Sequence, residues 1–183
     1  MRPVTGDELP VTGDELPVTG EVPVTGDQPP VTGDELKEYA GRSLLPSEWM
    51  TITQERINQF ASVTDDHQFI HVDEAAAKAT PLGSTIAHGF LTLSLLSTLR
   101  PSDWPVLEDA EMVINYGLDK LRFLQPVKAG SRVRVHTKIL AVREKGRGQY
   151  LIKSEKTMEI EGEEKPAFVA QMLVLIVGKE PAE

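Results

Sequence analysis

Residues 84–99, which read Ser-Thr-Ile-Ala-His-Gly-Phe-Leu-Thr-Leu-Ser-Leu-Leu-Ser-Thr-Leu, form the longest apolar segment with helical spacing in this chain. Its apolar positions, which wrap most of the circumference of a helix, are Ile86, Phe90, Leu91, Leu93, Leu95, Leu96 and Leu99. We expect a helix from Ser84 or Thr85 to about Leu99 that is buried on nearly all sides. A domain with one such helix must cover it, which predicts a sheet wrapped around the helix.

Four segments in the second half of the chain have the pattern of β-strands. Residues 132–139 alternate apolar and polar side chains, as a strand with one buried face does. Residues 111–123, 149–160 and 167–177 are further strand candidates, and Gly117 marks a bulge or a close backbone approach. Because short turns join these strands, we predict an antiparallel sheet. The fold class is therefore α+β, with one central helix against one curved antiparallel sheet.

Two shorter helices are predicted ahead of the central helix. Thr53 is expected to cap a helix that stops near Val63. Residues 64–73 then form a loop, and residues 74–79 form a second short helix. The Thr-Pro-Leu-Gly segment that follows ends this helix and separates it from the central helix.

The N-terminus is an internal repeat of the sequence Pro-Val-Thr-Gly. Its copies begin at Pro3, Pro10, Pro17, Pro23 and Pro30. Three of the five copies complete the heptad Pro-Val-Thr-Gly-Asp-Glu-Leu, but proline and glycine in every copy exclude a coiled coil. We predict that residues 1–36 form an acidic arm separate from a folded domain of residues 37–183. The arm is either a solvated tail or an interaction arm that adds strands to a neighbouring subunit.

Composition limits the classes of function. The 183-residue chain is long enough for a sizeable core, and it lacks cysteine, so disulfides and thiolate nucleophiles are excluded. Its net charge of −9 argues against binding to duplex nucleic acid. Residues 1–36 hold eight acidic residues and one basic residue, net −7, so the remainder is nearly neutral and can accept an anionic ligand. Without a secretory signal or a membrane-spanning apolar run, a cytoplasmic protein is expected.

Residues 64–73, Thr-Asp-Asp-His-Gln-Phe-Ile-His-Val-Asp, offer an acid and an imidazole that can share one water molecule. Asp66 and His71 would lie about 140° apart on a helix, so a loop must bring them together. The small residues around Gly89, in the first turns of the central helix, can hold a developing oxyanion with free backbone N–H groups. Together these segments predict an active site.

Both segments carry a family resemblance. Residues 64–71 resemble the T-G-D-x-N-P-x-H motif of the MaoC-like, R-specific enoyl-CoA hydratases. Residues 86–91 resemble the I-A-H-G-[ML]-L with which the central helix of that family begins. Residues 115–123 resemble the small single-domain branch of the family, some members of which are called nodulation-protein-N-like. The resemblance extends over residues 38–178 and implies the hot-dog fold, in which a curved sheet wraps a long helix.

The resemblance implies a lyase of fatty acid metabolism that interconverts trans-2-enoyl-CoA and (3R)-3-hydroxyacyl-CoA. This chemistry needs a positioned water, a base, an acid, and donors for the enolate-like thioester oxygen. We assign it to Asp66, His71 and the backbone N–H of Gly89, and the sequence leaves open which of the first two is the formal base. No cofactor is expected besides the coenzyme A thioester substrate. A metal site of His67, His71 and Asp73 is disfavoured, because H-x-x-x-H on a loop without further ligands is a weak signal.

Three residues depart from the family motif. Asp65, Gln68 and Phe69 stand where the motif has Gly, Asn and Pro. These departures spare both presumed catalytic positions, so they affect the shape of the loop and the rate more than the type of reaction.

The candidate substrate-binding residues are Gln68, Ser84, Ala87, His88, Leu93, Ser97, Lys120 and Arg122. Several of them have a simpler interpretation, with Ser84 as a helix cap, His88 as a structural residue and Leu93 as core packing. Lys120 and Arg122 are candidates for binding the CoA phosphates, and ordinary surface charge is the alternative.

Two other functions remain open on the same fold. A hot-dog acyl-CoA thioesterase places a carboxylate over the thioester carbonyl and does not require the pair of Asp66 and His71. A noncatalytic acyl-thioester-binding or assembly protein would act through its repeat arm. Since small members of the family pair into dimers that complete the sites between subunits, the resemblance also implies a homodimer, with higher assembly through the arm as a further option.

Overall fold

The computed structural model describes residues 29–146 and 148–179. In chain order, the helices of this part are α1 (Gly33–Lys37), α2 (Gln54–Thr64), α3 (Phe69–Val72), α4 (Glu74–Lys78) and α5 (Gly89–Ser94), which continues into a 3₁₀ turn (Leu95–Ser97). The strands are β1 (Met50–Thr51), β2 (Ala110–Phe123), β3 (Arg132–Gly146), β4 (Gln149–Ile160) and β5 (Phe168–Gly178). Within the described ranges, no helix has the length and apolar character needed to cross a membrane.

The strands form one antiparallel sheet in the order β1-β3-β4-β5-β2. Burial alternates along β4, so that side chains such as Met158 and Ile160 share the buried face of the sheet. Leu91 of helix α5 and Leu95 of the 3₁₀ turn that follows it belong to the same core cluster. The predicted α+β fold, with one central helix against one curved antiparallel sheet, is therefore confirmed.

Helix α5 is shorter than the sequence predicts. It begins at Gly89 rather than at Ser84 or Thr85. The backbone before it pairs with a distant segment, since the N–H of Ala87 donates to the carbonyl of Val127 at 2.7 Å. This pairing replaces the first turn of the predicted helix, and local spacing of apolar residues cannot reveal it.

The caps and the burial of α5 also differ from the prediction. Ser84 and Thr85 do not cap it, because the Ser84 hydroxyl donates to the Thr85 carbonyl at 3.2 Å and the Thr85 hydroxyl donates to the side-chain oxygen of Gln54. His88 stands at the N-cap and makes no capping hydrogen bond with its side chain. The helix is not buried on nearly all sides, since Phe90 is 68% exposed.

The segment before α5 follows the prediction in part. Thr53 caps α2 by accepting a hydrogen bond from the N–H of Arg56 at 3.2 Å, and the helix ends at Thr64. Residues 64–73 are not a loop throughout, because α3 forms one helical turn within them. Asp73 then caps α4, the second predicted short helix.

Strand β2 lies at the edge of the sheet. Its register with β5 shifts between Asn115 and Gly117, which confirms the predicted bulge. Three large apolar side chains on this strand, Ile114, Leu118 and Phe123, are 41%, 43% and 46% exposed. The edge therefore presents an apolar surface next to unpaired backbone groups.

The last repeat unit packs on the folded domain. Val31 forms an isolated β-bridge with Leu107, and the two residues share a core cluster with Leu36, which is fully buried on α1. The solvated-tail interpretation of residues 1–36 therefore does not hold for this unit, and the folded part begins before Lys37. The earlier copies of the repeat, and with them the predicted interaction arm, lie outside the described residues.

Candidate active site

His71 lies on α3, and the backbone holds its buried ring. Nδ1 lies 2.7 Å from the carbonyl oxygen of Ile86, which can only accept, so Nδ1 carries the proton of the neutral ring. The hydrogen bonds of the described chain leave Nε2 unpaired. Burial lowers the pKa of His71 below its ordinary value of 6.5, and His88 adds to this effect, while the Ile86 carbonyl and Asp66 oppose it. Nε2 is thus available as a base near neutral pH.

The turn between α2 and α3 depends on Asp65. Its φ of 58° and ψ of 18° lie in the left-handed region, which glycine adopts freely and aspartate tolerates better than most residues. This conformation explains the Gly of the family motif at this position. An L-residue adopts it at a cost of about 1–2 kcal/mol. The departure at Asp65 therefore preserves the turn.

The turn brings Asp66 next to His71. The Asp66 side chain is about half exposed, and one carboxylate oxygen lies within 4.8 Å of a ring nitrogen of His71. One water at about 2.8 Å from each group can bridge a gap of this length. The acid and the imidazole therefore lie at the separation that a shared water requires.

His88 supports this arrangement from the protein interior. Its Nε2 donates to the backbone carbonyl of Asp66 at 2.9 Å. Its ring stacks on that of His71, with centroids 3.7 Å apart, and packs on its other side near Phe60 at 5.1 Å. Nδ1 of His88 is buried with no partner among the described residues. His88 therefore contacts both Asp66 and His71, and a structural role remains the simpler interpretation of this predicted substrate-binding residue.

The same three residues also have the spacing of a metal cluster. One ligand atom each from Asp66, His71 and His88 lies within 4.8 Å of the others. However, the two rings are stacked at 26°, so their in-plane lone pairs do not converge on one point as zinc ligands at about 2.0–2.1 Å must. Within the described residues, the weaker set of His67, His71 and Asp73 does not form such a cluster. The geometry fits an acid–base pair better than a metal centre.

A cavity of about 390 Å³ opens beside His71. Ala87, Gly89 and Thr92 form one wall, and Phe123 and the turn after β2 form the other. Most of the lining is apolar, and the imidazole is its one ionisable side chain. A cavity of this kind can exclude bulk water from an apolar ligand while one polar group acts on it.

Gly89 is the first residue of α5 and lines this cavity. A Cβ atom at this position would lie 3.0 Å from the ring of Phe123, so any larger residue would displace that ring by a few tenths of an ångström. As the first helical residue, Gly89 has an N–H without an intrahelical acceptor, and no described residue accepts from it. A free backbone donor therefore lies on the wall that His71 shares.

Three further predicted residues surround the turn and the entry to α5. Ala87 lines the cavity. Gln68 and Ser84 do not, and both act on the local backbone instead. The carbonyl of Gln68 accepts from the N–H of His71 at 2.9 Å, which closes the turn of α3.

The last four predicted residues lie outside the cavity. Leu93 is half-buried against the main core, in agreement with its packing interpretation. Ser97 lines a different pocket at the other end of α5. Lys120 and Arg122 are exposed on β2, and Arg122 donates to the carbonyl of Leu121 at 2.9 Å.

Two features of this site have little or no signal in the sequence. The Ile86 carbonyl orients His71, but it is a backbone group that no pattern of side chains reveals. Phe123 closes the cavity over Gly89. The only sequence signal for it is an aromatic residue at the end of an edge strand.

The curved antiparallel sheet against one central helix defines a class, the hot-dog domain, and the candidate acid–imidazole pair lies near the start of that helix. A family model described as MaoC like domain matches residues 35–161. The chain is 47% identical over 138 residues to 3-hydroxyacyl-thioester dehydratase Z of Mycobacterium tuberculosis, which covers 75% of this chain and 91% of that protein. It is 47% identical over 137 residues to Nodulation protein N of Rhizobium leguminosarum bv. viciae, which covers 74% of this chain and 85% of that protein.

A solved structure described as the (R)-hydratase from A. caviae involved in PHA biosynthesis aligns with a TM-score of 0.60. The alignment covers 78% of this chain and 96% of that chain at 24% identity, which supports the hot-dog fold. The chain belongs to the MaoC-like dehydratase family, as its two motifs predict. It is therefore an enzyme of the dehydratase and hydratase type, a hydro-lyase.

Proposed function

We propose that the protein is an (R)-specific enoyl-thioester hydratase, which adds water to trans-2-enoyl-CoA to give (3R)-3-hydroxyacyl-CoA and catalyses the reverse dehydration. One observation carries the proposal. His71 has an unpaired Nε2 and lies within 4.8 Å of the Asp66 carboxylate, on the wall of a cavity that Gly89 also lines. The name of the Mycobacterium tuberculosis relative, 3-hydroxyacyl-thioester dehydratase Z, supports the same substrate class.

In the proposed mechanism, Nε2 of His71 takes one proton from water as the water oxygen bonds to C3. The Asp66 carboxylate accepts the second O–H of the same water and fixes its direction. The electron pair of the C2=C3 bond moves towards the thioester oxygen, to which the N–H of Gly89 donates. Return of the proton from His71 to C2 completes the addition. One O–H bond breaks while C3–O and C2–H bonds form, and no cofactor is consumed.

We also propose that the protein forms a homodimer through β2. An edge strand exposes unpaired N–H and carbonyl groups, and here Ile114 and Leu118 add apolar surface to it. Phe123 and Leu124 line the catalytic cavity and are 46% and 40% exposed, so a partner that covers this edge also closes the cavity. Light scattering should give a dimer mass for the intact chain and a monomer mass after Leu118→Lys.

Hydration of crotonyl-CoA tests the proposed activity. We expect loss of the enoyl absorbance without release of free thiol, and a 3R product on chiral analysis. His71→Ala should lower the rate by about 10²- to 10⁴-fold, because it removes the general base. The exposed neighbour His67 gives the matched control, since His67→Ala should retain the rate. Rapid thiol release would indicate a thioesterase instead, and an equal rate in His71→Ala would contradict the assignment.

A further inference from the structure

Lys156 is a buried lysine that the proposed mechanism does not use. Burial alternates along β4, so Lys156 shares the buried face with Ser154 and Met158 and is only 3% exposed. Its Nζ donates to the hydroxyl of Thr137 at 3.0 Å and lies 4.7 Å from the centre of the Trp104 ring. Lysine is almost never fully buried without a counter-charge, so this position needs an explanation.

In residues 29–146 and 148–179, no carboxylate pairs with the ammonium group of Lys156. Among the described residues, none forms an ion pair with Lys156, and its one hydrogen bond uses one of the three donors of an ammonium group. The charged group that influences it is another cation, Arg100. Burial, with a smaller contribution from Arg100, lowers the pKa of Lys156 to about 7. Within the described part of the chain, Lys156 therefore lies beside one cation and no anion, and a bound anion would favour its protonated form.

A small pocket of about 20 Å³ adjoins Lys156. Its polar lining consists of Ser97, Arg100, Asn115 and Lys156, and the rest of the lining is Trp104 and aliphatic side chains. One water molecule needs roughly 10–15 Å³, so the pocket admits one small oxygen-bearing group. Since Ser97 is exposed, the pocket can be reached from the surface.

The pocket is separate from the catalytic cavity. The two share no lining residue, and they lie at opposite ends of the helical segment that begins at Gly89 and ends at Ser97. At a rise of about 1.5 Å per residue, that segment is roughly 12 Å long. An acyl chain of moderate length can span such a distance.

We propose that this pocket binds a carboxylate. A carboxylate is planar and small, and it accepts hydrogen bonds from the unused donors of Lys156 while Arg100 adds a second positive charge. Its source is either the far end of the acyl group of a thioester substrate or a free small carboxylate. The first source rests on the proposed hydratase function, whereas the second does not.

Binding of free carboxylates tests the pocket directly. The melting temperature is measured in sodium propionate and in sodium chloride of equal ionic strength. Wild type and Lys165→Met, which removes an exposed lysine in the turn after β4, should be stabilised more by propionate than by chloride. In Lys156→Met the two salts should act alike. An equal response of Lys156→Met and wild type to propionate would overturn the proposal.

A second comparison identifies the source. Hydration is measured for trans-2-enoyl-CoA substrates of six to twelve carbons that end in a methyl group or in a carboxylate. If the acyl end occupies the pocket, wild type should prefer the carboxylate at one length by about tenfold or more in kcat/KM, and Lys156→Met should lose that preference. No preference at any length, together with propionate binding, assigns the pocket to a free carboxylate. Failure to hydrate any enoyl-CoA rejects the proposed function, while propionate binding still decides this inference.

Discussion

The two ends of the central helical segment face polar sites that are built in opposite ways. At its start, the backbone fixes His71 through the Ile86 carbonyl, and a stacked imidazole supports the ring. At its end, Lys156 has one hydrogen bond, no described counter-charge and a cationic neighbour. At the first site these contacts fix the His71 ring, and Nε2 remains able to accept a proton. The second uses one of the three donors of its ammonium group within the described chain.

The two sites show that buried polar groups in this fold differ in how many of their hydrogen bonds the protein itself supplies. A buried group whose bonds are filled by the backbone is oriented, and its remaining free atom has a defined direction. A buried charge whose bonds are unfilled lowers stability until a ligand or a pKa shift compensates it.

Removing the charge at the end of the helical segment should give the largest change in stability. Lysine has a pKa of 10.5 when unfolded and about 7 when folded here, so between these values the unfolded chain binds a proton that the folded chain lacks. The free energy of unfolding of wild type should therefore rise as pH increases from 7 towards 10. Lys156→Met should raise it at pH 7 by about 2–4 kcal/mol and flatten this pH dependence. Urea denaturation measures both, and a destabilised Lys156→Met protein would contradict the account.

A smaller effect is expected at the start of α5. Gly89→Ala places a Cβ atom 3.0 Å from the Phe123 ring. We expect this contact to push the ring and the start of α5 apart, which displaces the N–H of residue 89. We expect kcat/KM for crotonyl-CoA to fall by about 10- to 100-fold, less than for full loss of an oxyanion donor. Ser94→Ala, on the exposed side of the same helix, is the matched control and should retain activity. Equal losses in both variants would assign the effect to the helix rather than to the cavity.

The smallest effect concerns the pH profile. Because burial lowers the pKa of His71, its neutral form persists to lower pH than that of a free histidine. The acid limb of kcat/KM for crotonyl-CoA should therefore have an apparent pKa below 6.5. His67→Ala should leave this limb in place. A limb at or above 6.5 would mean that His71 is not the base of the free enzyme.

Much of the fold is visible in the sequence. Alternation in the second half predicts the strands, Thr53 predicts the start of α2, and Gly117 predicts the bulge in β2, all of which the structure contains. The start of α5 is not predictable, because it depends on pairing between Ala87 and Val127, which are distant in sequence. Local patterns predict local structure, and pairing between distant segments overrides them.

The repeat shows the same limit. Identical heptads predict identical behaviour, yet the last copy packs Leu36 into a core with Trp104 and Leu107. The sequence does distinguish this copy in one respect. Lys37 follows it, whereas proline follows the other two complete heptads. Lys37 can occupy the last position of α1, whereas proline is unfavourable inside a helix.

The residues of the candidate site were easier to predict from the sequence than the contacts that surround them. Motif spacing selects Asp66 and His71 rather than the nearer His67, and the structure places the first two within reach of one water. The burial of Lys156 is also predictable from the sequence, because this residue occupies an inward position in the alternation of β4. Whether a carboxylate lies near Lys156 depends on which residues surround it in space, and the local sequence does not predict those neighbours.

The rate of crotonyl-CoA hydration by Asp66→Asn, His71→Ala and the double variant tests the central claim most directly. If both residues act on one water, each single variant should lose about 10²- to 10⁴-fold, and the double variant should be no slower than the slower single variant. Losses that multiply would mean that the two residues act independently. Single variants as fast as wild type would contradict the account altogether.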